Sequence, residues 1–168
     1  MIDTLGNMPA HPLLVHVPVV LVPLATIGVV ALALRPALLR TLGPIVAGLA
    51  GVGFVGALLA TSSGESLEDS YAATGQTIST TIKDHAEMGD QARLAILAFF
   101  VVTLAWVVVT ARRRRAATPP DTTTRRAPTR VVGALMVLSV LSGVVATTWV
   151  IRTGHSGASS VWEKSSDG

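Results

Sequence analysis

ARLAILAFFVVTLAWVVVTARRRR, residues 92–115, decides the fold. From Leu94 to Ala111 the stretch carries no charge, and it ends on four consecutive arginines, Arg112 to Arg115. A helix rises about 1.5 Å per residue, so about 20 apolar residues cross a hydrocarbon core of about 30 Å. A basic block directly after such a run marks the point where the chain meets water and head groups.

Working outward, three further runs have the same character: residues 13–34, 42–60 and 131–151. None of the four carries Asp, Glu or Lys at its centre. The chain has 168 residues, of which 50% are hydrophobic but only 4% aromatic. Its mean hydropathy is +0.59. Four apolar helices in so short a chain leave too little polar surface for a water-soluble domain. The expectation is an all-α, integral membrane four-helix bundle in a single domain. Residues before Pro12 contain no Lys or Arg, and no small-residue cleavage site closes the first run, so a cleaved signal peptide is not expected.

The joints fix the expected topology. Arg35, Arg40, Arg112 to Arg115, Arg125, Arg126 and Arg130 fall on one side, with Asp121 as its sole acid. Lys83, Arg93, Arg152 and Lys164 fall on the other, with the remaining acids. The positive-inside rule makes 112–130 a cytoplasmic loop. It makes 61–91 an outer loop and puts both termini outside. The arginines read as a topology anchor with some attraction for anionic lipid, not as a nucleic-acid surface.

Small residues at four-residue spacing, Gly43, Ala47 and Gly51 in the second run and Ser139 with Gly143 in the fourth, suit close helix contacts in lipid. Pro18 and Pro23 are expected to kink the first helix. No internal repeat is legible. There are no cysteines, which removes disulfides, thiolate metal sites and a cysteine nucleophile. Gly154-His155-Ser156-Gly157 has Ala158 where a hydrolase nucleophile elbow needs its last glycine.

Chemistry is expected at the outer face, because all four histidines fall there: His11, His16, His85 and His155. Imidazoles bind transition metals and haem iron, and carboxylates complete or orient such sites. The candidate cofactor ligands are His11, His16, His85 and His155, with Glu65 and Asp90 added for a metal. The cofactor candidates are a transition metal or haem b. His85, Gly89 and Ala92 would share one face if the third helix extends outward, and His16 is expected to turn toward the bundle axis. A bis-histidine haem would need His11 with His85 or His155, or a bent third helix, because His16 sits deeper than His85 by well over about 10 Å on a straight helix. The alternative is a non-catalytic scaffold or assembly partner. A transporter ranks third, since no charge lies at mid-membrane. No specific reaction can be read.

The opening His11-Pro12-Leu13-Leu14-Val15-His16-Val17-Pro18 resembles the start of a bacterial predicted-membrane-protein family, domain-of-unknown-function family 2231. The lead-in His85 to Arg93 and the exit Thr153-Gly154-His155-Ser156-Gly157-Ala158, with Val161-Trp162, are similar to its later signatures. The resemblance covers nearly the whole chain. It implies a bacterial cytoplasmic membrane protein in contact with the lipid bilayer. Related domains occur beside Rieske or cytochrome modules, which implies redox membrane partners. Oligomers are allowed, and nucleic acid is not expected.

Overall fold

Prolines, glycines and hydroxyl side chains set the helix boundaries. The computed structural model describes the backbone of residues 4–5, 8–9, 11–75, 79–116 and 130–162, with side chains over 11–75, 79–115 and 130–157. Two short strands, β1 (Thr4–Leu5) and β2 (Met8–Pro9), pair antiparallel. The helices are α1 (His11–Leu14), α2 (His16–Leu34), α3 (Leu39–Ala73), α4 (Thr80–Ala116) and α5 (Arg130–Trp162). A 3-10 turn, Pro36–Leu38, links α2 to α3 with a proline at its start. The basic stretch 117–129 lies outside the described residues.

Pro18 sits in the first turn of α2, where its missing N–H has no helical partner to lose, and it is buried. Pro23 lies inside α2 and Pro44 near the start of α3. The first helix is interrupted at Val15, between α1 and α2.

The polar stretch 61–91 is largely helical. α3 runs 35 residues and α4 runs 37, each well beyond the roughly 20 that a bilayer requires. The residues of 61–73 tolerate helix because their hydroxyls bond back to the preceding turn: Thr61 to the Ala57 carbonyl, Ser63 to Ala60 and Ser70 to Leu67. α3 stops where Gly75 takes a φ of +74°, the left-handed conformation that ends many helices. Ser79 then opens α4, its hydroxyl accepting the Ile82 N–H at 3.4 Å.

Each helix packs on its two neighbours in the ring α2–α3–α4–α5, and α5 closes back onto α2. Four helices are long and apolar enough to cross a membrane. Val22, Ala25, Val29 and Leu32 of α2 meet Val46, Ala47 and Ala50 of α3, Ile96, Phe99 and Trp106 of α4, and Ala146 and Val150 of α5 in one core. The outward faces are apolar as well. Ile27 (66% exposed), Leu94, Leu141 and Ile151 leave a hydrophobic exterior far larger than a water-soluble protein tolerates, and lipid is its natural solvent.

Glycines let the backbones approach. An added Cβ at Gly56 would collide with Val17, and one at Gly143 would meet Phe99 at 2.9 Å and the Thr26 hydroxyl at 3.0 Å. That hydroxyl is buried and donates within α2 to the Val22 carbonyl, with the Gly143 carbonyl at 3.1 Å and the Thr147 hydroxyl at 3.0 Å on α5. Gly48, which the four-residue pattern could have included, faces open space. Near the end of the apolar part of α5, the Arg152 guanidinium lies 5.5 Å from the Trp149 ring centre, a pairing suited to the membrane–water boundary.

Candidate histidine site

The bundle has two polar ends. At one, Arg35, Arg40, Arg112 to Arg115 and Arg130 all lie exposed, and Arg114 reaches across to the Pro36 carbonyl at 3.4 Å. At the other, the overhanging turns of α3, α4 and α5 half-bury two of the four histidines.

His11 projects from α1 onto α3. Its Nδ1–H donates to the Ala60 carbonyl at 2.9 Å and lies 3.2 Å from the Ser63 hydroxyl. Ser63 gives its own proton to the same carbonyl at 2.9 Å. Gly64 follows, and a Cβ there would stand 3.3 Å from His11 Cε1.

His85 projects from α4 onto α5 in the same manner. Its Nδ1 lies 2.9 Å from the Ser156 hydroxyl. Ser156 donates to the Thr153 carbonyl at 2.9 Å, so its oxygen is left to accept from His85. Gly157 follows, and a Cβ there would come within 2.9 Å of His85 Cε1. Thr153 also ties the two helices, donating from Oγ1 to the Met88 carbonyl at 3.2 Å.

The two docks share one design: a carbonyl, a serine three residues on that bonds back to it, and a glycine one further, against the ring edge. The sequences are Ala60-Thr61-Ser62-Ser63-Gly64 and Thr153-Gly154-His155-Ser156-Gly157. In the ring of helices, half a turn about the bundle axis exchanges α2 with α4 and α3 with α5. The two docks exchange with them. The chain therefore has an internal two-fold relation in topology, which its sequence conceals.

The rings meet across this axis. Their centres are 6.3 Å apart and their planes are at 90°. Because carbonyl and serine oxygens hold Nδ1–H on each ring, the neutral imidazoles keep Nε2 as the nitrogen with a lone pair. His85 stands in the polar overhang of α4, above the apolar stretch. Burial, chiefly, and the facing His11 ring hold its pKa below the ordinary histidine value of 6.5, while a backbone hydrogen bond to Thr153 works the other way.

The remaining candidates do not join this pair. His16 is exposed, its Nδ1 turned back to the Pro12 carbonyl at 2.6 Å. The reason is rotational. Five residues of helix turn a side chain about 140° past one full turn, so a helix that aims His11 at α3 aims His16 away. His155 is exposed as well, because α5 runs through Gly154 without stopping and carries that ring outward. Glu65 is exposed on α3. Asp90 is engaged by Arg93 at 3.1 Å, and Arg93 also reaches the Thr61 hydroxyl at 3.5 Å. Among the described residues no group of three or more His, Asp or Glu side chains is arranged to hold a metal ion. Of the expected set, the structure brings His11 and His85 together and leaves His16, His155, Glu65 and Asp90 apart from them. Gly89, one turn from His85, faces Thr61 beside the pair, and Ala92 on the same side of α4 is buried. Sequence reasoning passed over Ser63 and Gly64, and took Ser156 and Gly157 only as part of a family signature and of an incomplete nucleophile elbow. The repeated Ser-Gly, preceded three residues earlier by a small residue, was the signal available.

Antiparallel helices with a lipid-facing exterior and one enclosed polar end define a multi-pass membrane protein of the four-helix-bundle class. Within that class the chain belongs to the family described as predicted membrane protein, DUF2231, which matches residues 7–166. No curated protein and no solved structure matches it.

Proposed function

We propose that this membrane protein binds a metal or redox cofactor at its histidine end through Nε2 of His11 and His85. The observation that carries the reading is the pair of rings 6.3 Å apart, each held through Nδ1 by an acceptor oxygen. A carbonyl or hydroxyl behind Nδ1–H is the usual support of a ligating imidazole. It sets the tautomer and raises the basicity of the far nitrogen. A purely structural contact would not require two neutral rings to face one another, each backed by its own serine and glycine.

The test is elemental analysis with a visible absorption spectrum on the purified chain and its variants. His11→Ala and His85→Ala should each lower the bound cofactor by tenfold or more, while His16→Ala and His155→Ala leave it unchanged. Equal content in all four variants would refute the reading and leave the scaffold alternative.

The same proposal sets the orientation. The arginine end faces the cytoplasm of a bacterial cell and the histidine end faces outward, with both termini outside, because nine of the thirteen basic residues lie on the arginine side. Redox membrane proteins on that outer side would be the partners. A reporter fused to Gly168 should be active only outside the cytoplasm; cytoplasmic activity would reverse the topology.

A further inference from the structure

We infer that the cofactor is haem b, held on the internal two-fold axis with His11 and His85 as its two axial ligands. This rests on the reading that the pair binds a cofactor, and it names which one.

The first argument is ligand number. A bare divalent ion at a protein site takes four or more donors, typically at about 2 Å. Among the described residues no third His, Asp or Glu joins this pair. A porphyrin brings four nitrogens of its own and asks the protein for at most two, one above the iron and one below. Two imidazoles are what such a centre lacks.

The second argument is distance. Two imidazoles on opposite sides of one iron, each bonded at about 2 Å, have ring centres about 6 Å apart. The observed separation of 6.3 Å is that spacing. Edge-to-face contact between two rings spans about 4.5–7 Å, so the separation fits the haem without requiring it. A hydrogen bond between them would leave one Nδ1 or Nε2 serving as the donor to the other, whereas both Nδ1–H groups are already committed to α3 and α5.

The third argument is the surroundings. Gly64 on α3 and Gly157 on α5 let the two imidazoles themselves seat close against backbone, which fixes where they present their outer nitrogens. The level is also right for amphipathic haem. The pair sits where the apolar core gives way to the polar overhang, so the porphyrin body can rest toward the core with its propionates toward water. With no cysteine in the sequence, thioether attachment has no anchor, and haem b is the simplest haem held by axial ligands alone.

Both axial positions are filled in this arrangement, so no coordination site remains for a substrate on the iron. The near-perpendicular planes of the two rings supply a further mark. Ferric haem with crossed axial imidazoles gives a low-spin resonance of large anisotropy, distinct from that of parallel rings.

The experiment uses the full-length chain purified in detergent and titrated with haemin. The expected result is one haem per chain, sharp low-spin bands on reduction, and the strongly anisotropic ferric resonance in the wild type. His11→Gly and His85→Gly should each abolish the low-spin spectrum, and added imidazole should restore it by refilling the vacated position. That rescue separates a lost ligand from a misfolded chain, and the wild-type resonance stands independently of any variant. Failure to bind haemin, or a low-spin spectrum that persists in both glycine variants, would overturn the haem assignment. If the pair instead retains copper or zinc but no haem, the assignment falls while the cofactor role of the pair stands. If it retains neither, both fall.

Discussion

The first hairpin, α1 to α3, and the second, α4 with α5, perform the same docking with different residues. In the first, His11 bonds the Ala60 carbonyl directly at 2.9 Å, with Ser63 slightly farther at 3.2 Å. In the second, His85 is closest to the serine, at 2.9 Å. The seams between the hairpins differ more. Along α2 and α5 the contact is polar, with Thr26 buried against Gly143 and Thr147. Along α3 and α4 it is aromatic, with Phe54 and Phe100 stacked at 6.3 Å between centres. What both halves keep is the histidine, the back-bonded serine and the glycine. What they do not keep is the material of the seams. On the proposed reading the shared part would present two similar nitrogens, and the seams need only fill space.

The comparison breaks most visibly at the polar seam. Gly143→Leu would drive a side chain into Phe99 and Thr26, and overpacking of this kind costs about 1–3 kcal/mol or more. The expected outcome is a marked fall in thermal stability in detergent, with Gly48→Leu, whose position is open, unchanged within error. Equal stability in the two variants would mean that α5 does not meet α2 and α4 through Gly143.

A smaller effect sharpens the comparison at the docks. A methyl at Gly157 would lie 2.9 Å from His85 Cε1, whereas one at Gly64 would lie 3.3 Å from His11 Cε1. The first must displace its ring and the second only crowds it. Disturbing the support behind a ligating histidine typically costs about 10–100-fold in affinity. Gly157→Ala is therefore expected to weaken cofactor binding by about tenfold, and Gly64→Ala by a few-fold, in a titration that follows the absorption spectrum. A reversed order would show that the second dock yields more readily than the first.

The spans were legible because lipid imposes one strong rule, long uncharged runs with satisfied backbones, and residues 94–111 obey it in plain view. The helical overhangs were not. Thr61, Ser63 and Ser70 read as loop-formers, yet each hydroxyl turns back to a carbonyl of its own helix. α5 passes through Gly154, where its neighbours Thr153 and Ser156 are bonded to α4 on the same face. Of the site, His11 with His85 was legible as one of the possible pairs, beside His11 with His155, but not as the pair that forms. Their partnership depends on helix extension beyond the apolar runs. His16 could have been set aside from spacing alone, since it lies five residues from His11 on nearly continuous helix. The two-fold relation was invisible because the halves share a geometry of serine, glycine and carbonyl and little else.

Orphaned polar atoms mark the other half of the molecule. Thr103 Oγ1, Trp106 Nε1 and Thr110 Oγ1 are buried on one side of α4, with no hydrogen-bond partner among the described residues. At the histidine end, by contrast, the hydroxyls of Ser63, Thr153 and Ser156 all have partners. An enclosed site is costly to assemble unless its polar groups already satisfy one another before the ligand arrives.

Each histidine is docked by the next long helix in its own hairpin. His11 and Ser63 belong to the first pair of crossings, and His85 and Ser156 to the second. During insertion into the membrane, each pair can complete its dock before it encounters the other. The two rings come face to face only when the finished pairs associate. A ligand bridging them would bind the assembled form and not the separate pairs, so its binding energy would act as a clasp at the seam. Biogenesis would then end with cofactor capture, and a chain starved of cofactor would fail by separation of two intact halves rather than by unravelling of either.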